Sequence, residues 1–156
     1  MTGLTWANFL DSTDLEDLRV ASVGRIATVG VGGFPSVVPV CFGLVDGSLP
    51  TIVSVLDDKP KGVADTELGR VRNILRHPQV GLTIDHYEED WSKLFHIQIR
   101  GVARIALPDD PIHAPGLGIL RAKYPQYRVM ELADRSMIAI DQLRVRVWRA
   151  RPVSKH

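Results

Sequence analysis

The stretch from Phe95 to Leu107 constrains this chain more than any other. Phe95, Ile97, Ile99, Ala103 and Ile105 fall on one face together with Gly101, and His96, Gln98, Arg100 and Arg104 fall on the other. A period of two is that of a strand, with one face buried and one face available to solvent or a partner. The fold therefore needs other β elements to pack against the apolar face.

The rest of the sequence supplies them. Arg25 to Val31 reads as a strand, Gly32-Gly33-Phe34-Pro35 as a turn, and Ser36 to Val45 as a second strand. Asp46-Gly47 signals a hairpin leading into a third strand from Leu49 to Leu56. The second strand is apolar on both faces, which suits a barrel wall, and Pro39 within it calls for an edge or a bulge. Val80 to Tyr87 is a further strand, and Ser136 to Asp141 and Arg144 to Ala150 are two final ones. Helices are expected over 4–22, with Leu15 and Leu18 inward and Asp14 as the cap, over 65–76 ending at His77-Pro78, and again before Pro125. This order contains no regular βαβ unit. It predicts a mainly β, antiparallel, Greek-key-like closed barrel with peripheral helices.

The chain has 156 residues, which fits one domain spanning 1–156 with an N-terminal helical segment over 1–22. Lys plus Arg number 19 against 18 Asp plus Glu, a near-balance that argues against a nucleic-acid binder. No stretch has the ~20 apolar residues of a membrane span, and the start lacks a basic, apolar leader. A cytoplasmic protein is expected. The lone Cys41 excludes an internal disulfide and sits in an apolar run, where an inert buried thiol is the simpler reading. His77, His86, His96, His113 and His156 show no zinc-ligand spacing, so no metal site is expected.

The one motif with clear charge chemistry is Lys59-Pro60-Lys61, followed on the next helix by Arg70 and Arg72. Lysines in a loop with helical arginines beside them can hold a phosphate through charge-assisted bonds. The same residues also suit any surface helix, with Asp65 and Glu67 early and the cations late.

Arg25-Ile26-Ala27-Thr28-Val29, Gly33-x-Pro35 and Val38-Pro39-Val40 resemble the opening hairpin of the pyridoxamine 5′-phosphate oxidase-like, FMN-binding split β-barrel superfamily. Asp58-Lys59-Pro60-Lys61, Val71-Arg72-Asn73-Ile74 and Asp85-His86-Tyr87-x-x-Asp90-Trp91-Ser92 are similar to its branch of coenzyme F-420 (deazaflavin)-dependent oxidoreductases. The resemblance covers about residues 17–107 and continues more weakly to the end. It implies that Val38, Pro39 and Val40 present backbone to the flavin or its ribityl chain, with Val53 and Ser54 beside it. Lys59 and Lys61 would hold the phosphate, supported by Arg72, and His96 stands where the superfamily often has a glutamine that reaches the cofactor from the partner subunit of a homodimer. Gly62 and Gly69 stand where related sequences tend to be basic, which implies a thinner phosphate clamp.

Trp91 lies in an acidic connection, and Trp148 shares a strand face with Arg144 and Arg146. A large ring on a polar face suits an interface or a stacking ligand. His96 shares its face with Gln98 and Arg100, which fits a cofactor contact or a solvated face equally well. The expected activity is hydride transfer between F-420 or FMN and a small-molecule substrate. The alternative is a non-enzymatic flavin, deazaflavin or haem carrier on the same fold. Arg144, Arg146, Arg149 and Arg151 offer partners for the anionic F-420 tail, or simply a charged strand edge.

Overall fold

The structure is a computed structural model and describes residues 5–57 and 69–151. Its strands are β1 (Gly24–Val29), β2 (Pro35–Val40), β3 (Gly43–Val45), β4 (Thr51–Val55), β5 (Gln79–His86), β6 (Phe95–Ala106) and β7 (Met137–Arg149). Helices α1 (Trp6–Phe9), α2 (Ser12–Val20), α3 (Gly69–Arg76) and α4 (His113–Lys123) surround them. All strand pairings are antiparallel, in the order β2-β1-β5-β6-β7-β4-β3.

That order forces the sheet to curl. Its two edge strands, β2 and β3, are consecutive in the chain and separated only by Cys41 and Phe42. Laid flat, the edges of seven strands would lie roughly 29 Å apart at about 4.8 Å per strand. The step from Val40 to Gly43 can span only about 11 Å. The sheet must therefore wrap until its edges meet. β2 and β3 are nevertheless not paired with each other, so the barrel is split along this seam and not closed by hydrogen bonds as expected.

The alternation over 95–107 appears as predicted: Ile97, Ile99 and Ala103 are buried, and Gln98, Arg100 and Arg104 are exposed. The buried face of β6 joins Ile26, Ile52, Leu82, Ile84, Ile138 and Ile140 in the main core. Trp6, Leu15 and Leu18 reach this core from α1 and α2, and Val71 and Ile74 reach it from α3. A second core lies under α4, where Leu117 and Leu120 pack on Val45, Val53, Val55 and Met137. No helix among the described residues is long and apolar enough to cross a membrane.

Four local expectations change. The N-terminal helix is broken at Leu10-Asp11, and Asp11, not Asp14, caps α2 by accepting the Asp14 N–H at 2.9 Å. The second strand breaks at Cys41-Phe42 and its β2 half is an edge strand. Val37 and Pro39 are exposed and only Val38 and Val40 turn inward, half-buried. Its apolar outward face therefore lies at the molecular surface, while Pro39 does sit on an edge. The helix expected over 65–76 is described only from Gly69.

The last change is the most informative. The two final strands are one strand, β7, carrying a bulge. Arg100 pairs with Arg144 and Val102 with Asp141, so Gln142 and Leu143 together oppose Gly101. Gln142 takes a positive φ of 52° there. Gly101 is the residue that lets the strands meet, because a Cβ on it would lie 2.6 Å from Ile140 Cγ2 and 2.8 Å from the Asp141 carbonyl oxygen. Gly101→Ala should destabilise the protein by about 1–3 kcal/mol, the usual cost of overpacking, read as a lowered urea midpoint with an unchanged slope. Gly118→Ala, with open space around it, is the matched control and should be neutral or slightly stabilising.

Candidate functional site

The register sorts the outward side chains of the sheet into rows. One row holds Asp85, His96 and Trp148, the next Pro39, Arg25, Thr83, Gln98 and Arg146, and the third Val37, Ala27, Gly81, Arg100 and Arg144. Pro39 and Arg146 are four strand spacings apart, about 19 Å. The structure thus brings Pro39, His96 and Trp148 onto one continuous outer face, together with the arginines of β6 and β7.

Within that face His96 and Trp148 stack, with ring centroids 5.5 Å apart and planes 19° from parallel. The pair joins the two residues that the sequence left unassigned, and it leaves cofactor contact, interface and solvated face as alternatives. The Trp148 ring is stacked by its cross-strand neighbour, yet the residue remains 45% exposed. Beside it Arg25 Nη1 bonds Asp85 Oδ1 at 3.1 Å. Arg100, Arg144 and Arg146, by contrast, have no carboxylate partner among the described residues. Arg100 and Arg144 are directly opposite each other, a like-charge pairing that is unfavourable unless something anionic relieves it.

The other expected residues lie elsewhere. Val38 and Val40 face the barrel interior. Val53 is fully buried beneath α4 and Ser54 is buried in the next register of β4, so neither side chain lines an open groove. Trp91 is 77% exposed on the short helical turn before β6. Arg72 is exposed on α3. Lys59 and Lys61 lie outside the described residues.

Helix α3 is fixed to the barrel by Asn73, whose amide donates to the buried Thr28 hydroxyl at 2.9 Å. One turn earlier stands Arg70, whose Nε is buried and has no hydrogen-bond acceptor among the described residues. A buried donor left unmade is costly, and cationic guanidinium donors are the costliest to strand. Arg70 directly follows the segment that carries Lys59 and Lys61.

A second polar cluster, at the seam, was not legible in the sequence. The Tyr124 hydroxyl accepts the Phe42 N–H at 3.0 Å and gives its one proton to the carbonyl of Ser22 (3.0 Å) or Phe42 (3.2 Å). Lys123 Nζ donates to the Phe42 carbonyl at 3.0 Å and lies 3.8 Å from the Phe42 ring centroid. Burial pulls its ammonium down to about 8 and pushes the Tyr124 phenol up to about 12. Tyr127 bonds Asp57 at 2.8 Å, and burial, with Cys41 and Asp57 beside it, holds its phenol protonated as well. Cys41 is half-buried among these groups and not sealed in the core. Signals for the cluster exist only in hindsight, because Lys123 and Tyr124 meet Phe42 across 81 and 82 residues of chain.

The family model described as pyridoxamine 5′-phosphate oxidase matches residues 14–149. The chain belongs to this family. A search of curated proteins finds no match. Among solved structures, a conserved hypothetical protein from Mycobacterium tuberculosis superposes with TM-score 0.64 at 16% identity, covering 90% of this chain and 85% of its own. The heme storage protein HutZ from Vibrio cholerae gives 0.61 at 14% identity, with coverage of 87% and 94%. A FAD-binding protein from Mesorhizobium loti gives 0.57 at 18%, with coverage of 89% and 96%. These likenesses establish the split-barrel fold. The family and its relatives include flavin-binding and haem-binding proteins, so family membership leaves the ligand open.

The seam cluster gives a pH prediction whatever the ligand. Below pH 8 Lys123 is protonated in both states. Between about 8 and 10.5 the folded state has lost a proton that the unfolded state keeps, so stability rises with pH. Tyr124 acts oppositely above 10, where only the unfolded phenol ionises. Denaturation at pH 7.5 and 9.5 should therefore show the wild type gaining on Lys123→Met as pH rises. Parallel changes in the two proteins would count against a desolvated Lys123.

Proposed function

We propose that this member of the family is a homodimeric oxidoreductase that binds F-420 or FMN across the outer sheet face and α3. The observation that carries the reading is the buried Arg70 Nε, without an acceptor among the described residues and nine residues after Lys61 in the chain. A cofactor phosphate supplies the missing acceptor, and the two lysines add charge-assisted bonds to the same group. Pro39 and the exposed part of Trp148 offer apolar surface to a ring system, and His96 holds the Trp148 ring in place by stacking. When bound, such a cofactor supplies the hydride chemistry, and the chain's residues bind it, orient it and exclude water. The substrate is a small organic molecule whose identity no residue here specifies.

Two further features support parts of the reading. Val37 is 62% exposed, Phe34 78% and Trp148 45%, apolar surface that a second copy would cover. The unneutralised Arg100, Arg144 and Arg146 favour F-420, whose tail carries a phosphodiester and glutamates, over FMN, which ends in one compact phosphate. HutZ, named as a storage protein, shares the fold, and a cofactor carrier without turnover is accordingly the second reading.

Titration with F-420, FMN and haem side by side tests the reading, followed by turnover with the reduced cofactor. Arg70→Ala, Lys59→Ala and Lys61→Ala should each weaken flavin or deazaflavin binding by about 1.5–3 kcal/mol. Wild-type affinity in all three would remove the phosphate site. Arg144→Ala with Arg146→Ala should weaken F-420 much more than FMN. The difference should shrink at high salt, because exposed charges are screened beyond about 8 Å at physiological ionic strength. Tight binding without turnover would make the protein a carrier, and sedimentation as a monomer at micromolar concentration would remove the dimer.

A further inference from the structure

A groove of about 610 Å³ runs between β3 and α4, away from the outer sheet face. Its walls are Gly43, Leu44 and Val45 on one side and Pro115, Ile119 and Ala122 on the other, with Arg19 and Lys123 as its cations. The volume falls within the range of small-molecule sites, and an apolar wall with few polar groups is their usual chemistry. Gly43 permits the close approach of strand and helix, since a Cβ there would lie 2.9 Å from Ile119 Cγ2.

The charges around this groove are not balanced. Lys123 has been taken from water without an anion in return. Its ammonium has one bond, to the neutral Phe42 carbonyl, and the Phe42 and Tyr124 rings beside it. No carboxylate lies within ion-pair reach of it among the described residues, and the same holds for Arg19. Two of its three N–H donors remain for a ligand. Arg19 belongs to the same end, because Tyr124 ties Ser22, three residues further on, to the seam. Asp46 also lines the groove, but it lies four residues along from Phe42, about 13 Å of extended strand. Its Oδ1 is engaged by the Trp6 N–H at 2.7 Å. The arrangement is cationic at one end and apolar along its length.

We propose that this groove binds a small carboxylate with an apolar body, its carboxylate at Lys123 and Arg19 and its body between β3 and α4. A neutral molecule of the same shape leaves the ammonium unpaired, and a bare inorganic anion leaves the apolar walls wet. The site is separate from the phosphate site at Arg70, so the two can fail independently.

Octanoate and octanamide are the probes, and the full chain is the protein. Binding is followed by calorimetry and by the Trp6 indole N–H resonance. That group donates to the Val45 carbonyl at 3.1 Å, against the groove wall, and reports local occupancy. Octanoate should bind and shift the signal, with octanamide at least about tenfold weaker, the loss expected when a charged hydrogen bond goes. Lys123→Met should lose octanoate by a similar factor while remaining folded, and Lys123→Arg should retain it. Arg19→Gln, on an exposed helix position, should weaken it without touching the seam. Cys41, Tyr124, Arg19 and Asp46 face Lys123 or its groove. Burial lowers the Lys123 ammonium to about 8, so octanoate affinity should fall between pH 7 and 9 in the wild type and should fall much less in Lys123→Arg, which keeps every other group. Equal affinity for the two probes, unchanged binding by Lys123→Met, or no shift of the Trp6 signal at millimolar octanoate would each overturn the assignment.

Discussion

The joint at Cys41 and Phe42 carries a constraint from which most of this architecture follows. Two residues connect strands that stand at opposite edges of a seven-stranded sheet, so the sheet has no flat solution. Curling closes the distance but does not pair the edges, and the seam between β2 and β3 is left with backbone groups to satisfy. The end of α4 meets that need: Tyr124 takes the Phe42 N–H, and Lys123 bonds its carbonyl. Phe42 itself is fully buried. The seam therefore draws two ionisable side chains out of water, and their displaced titration is a consequence of how the barrel is held together.

The second constraint is the bulge opposite Gly101. An extra residue in β7 interrupts the strand so that its first half is buried on both faces, between the main core and the core beneath α4, while its second half turns one face outward. Met137 to Ile140 are all buried, whereas Arg144, Arg146 and Trp148 face outward. A strand without the bulge would have kept one alternation throughout. The change of environment therefore depends on a glycine that admits the opposing chain and a glutamine with positive φ.

The parts of this molecule that follow local rules were readable from the sequence. The alternation of β6 predicted its buried and exposed faces, Pro39 marked an edge, and Leu15 and Leu18 point inward as their spacing requires. The misreadings share one cause, which is long-range geometry overriding a local pattern. Val37 looked like wall because it is apolar, but it lies on the outer face of β2, which stays exposed among the described residues. The final strands looked like two because a bulge and a turn both interrupt periodicity, and only the pairing with β6 distinguishes them. Of the site, the outward placement of His96 and Trp148 was legible from strand parity, whereas Pro39 entered only through the family resemblance. The His96–Trp148 stack, the stranded Arg70 Nε and the seam lysine were not, since each depends on a partner, or the lack of one, in three dimensions.

Unpaired cations distinguish the regions of this surface that are structurally self-sufficient from those that are not. Arg149 is satisfied by Asp14 at 2.8 Å and Asp17 at 2.6 Å, which ties the end of β7 to α2, and Arg25 is satisfied by Asp85. Those arginines serve the fold. Arg70, Arg100, Arg144, Arg146 and Lys123 have no carboxylate partner among the described residues, and the Arg70 Nε and the Lys123 ammonium also lose hydration. Lys123 also serves the fold through its bond to the Phe42 carbonyl, but that acceptor is neutral and leaves the ammonium charge unmatched among the described residues. Solvent can screen the three on the outer sheet, so they constrain the ligand least. The buried Arg70 Nε and the Lys123 ammonium are where the ligands proposed above would gain most, because an oxygen acceptor delivered there would recover what burial has taken from them.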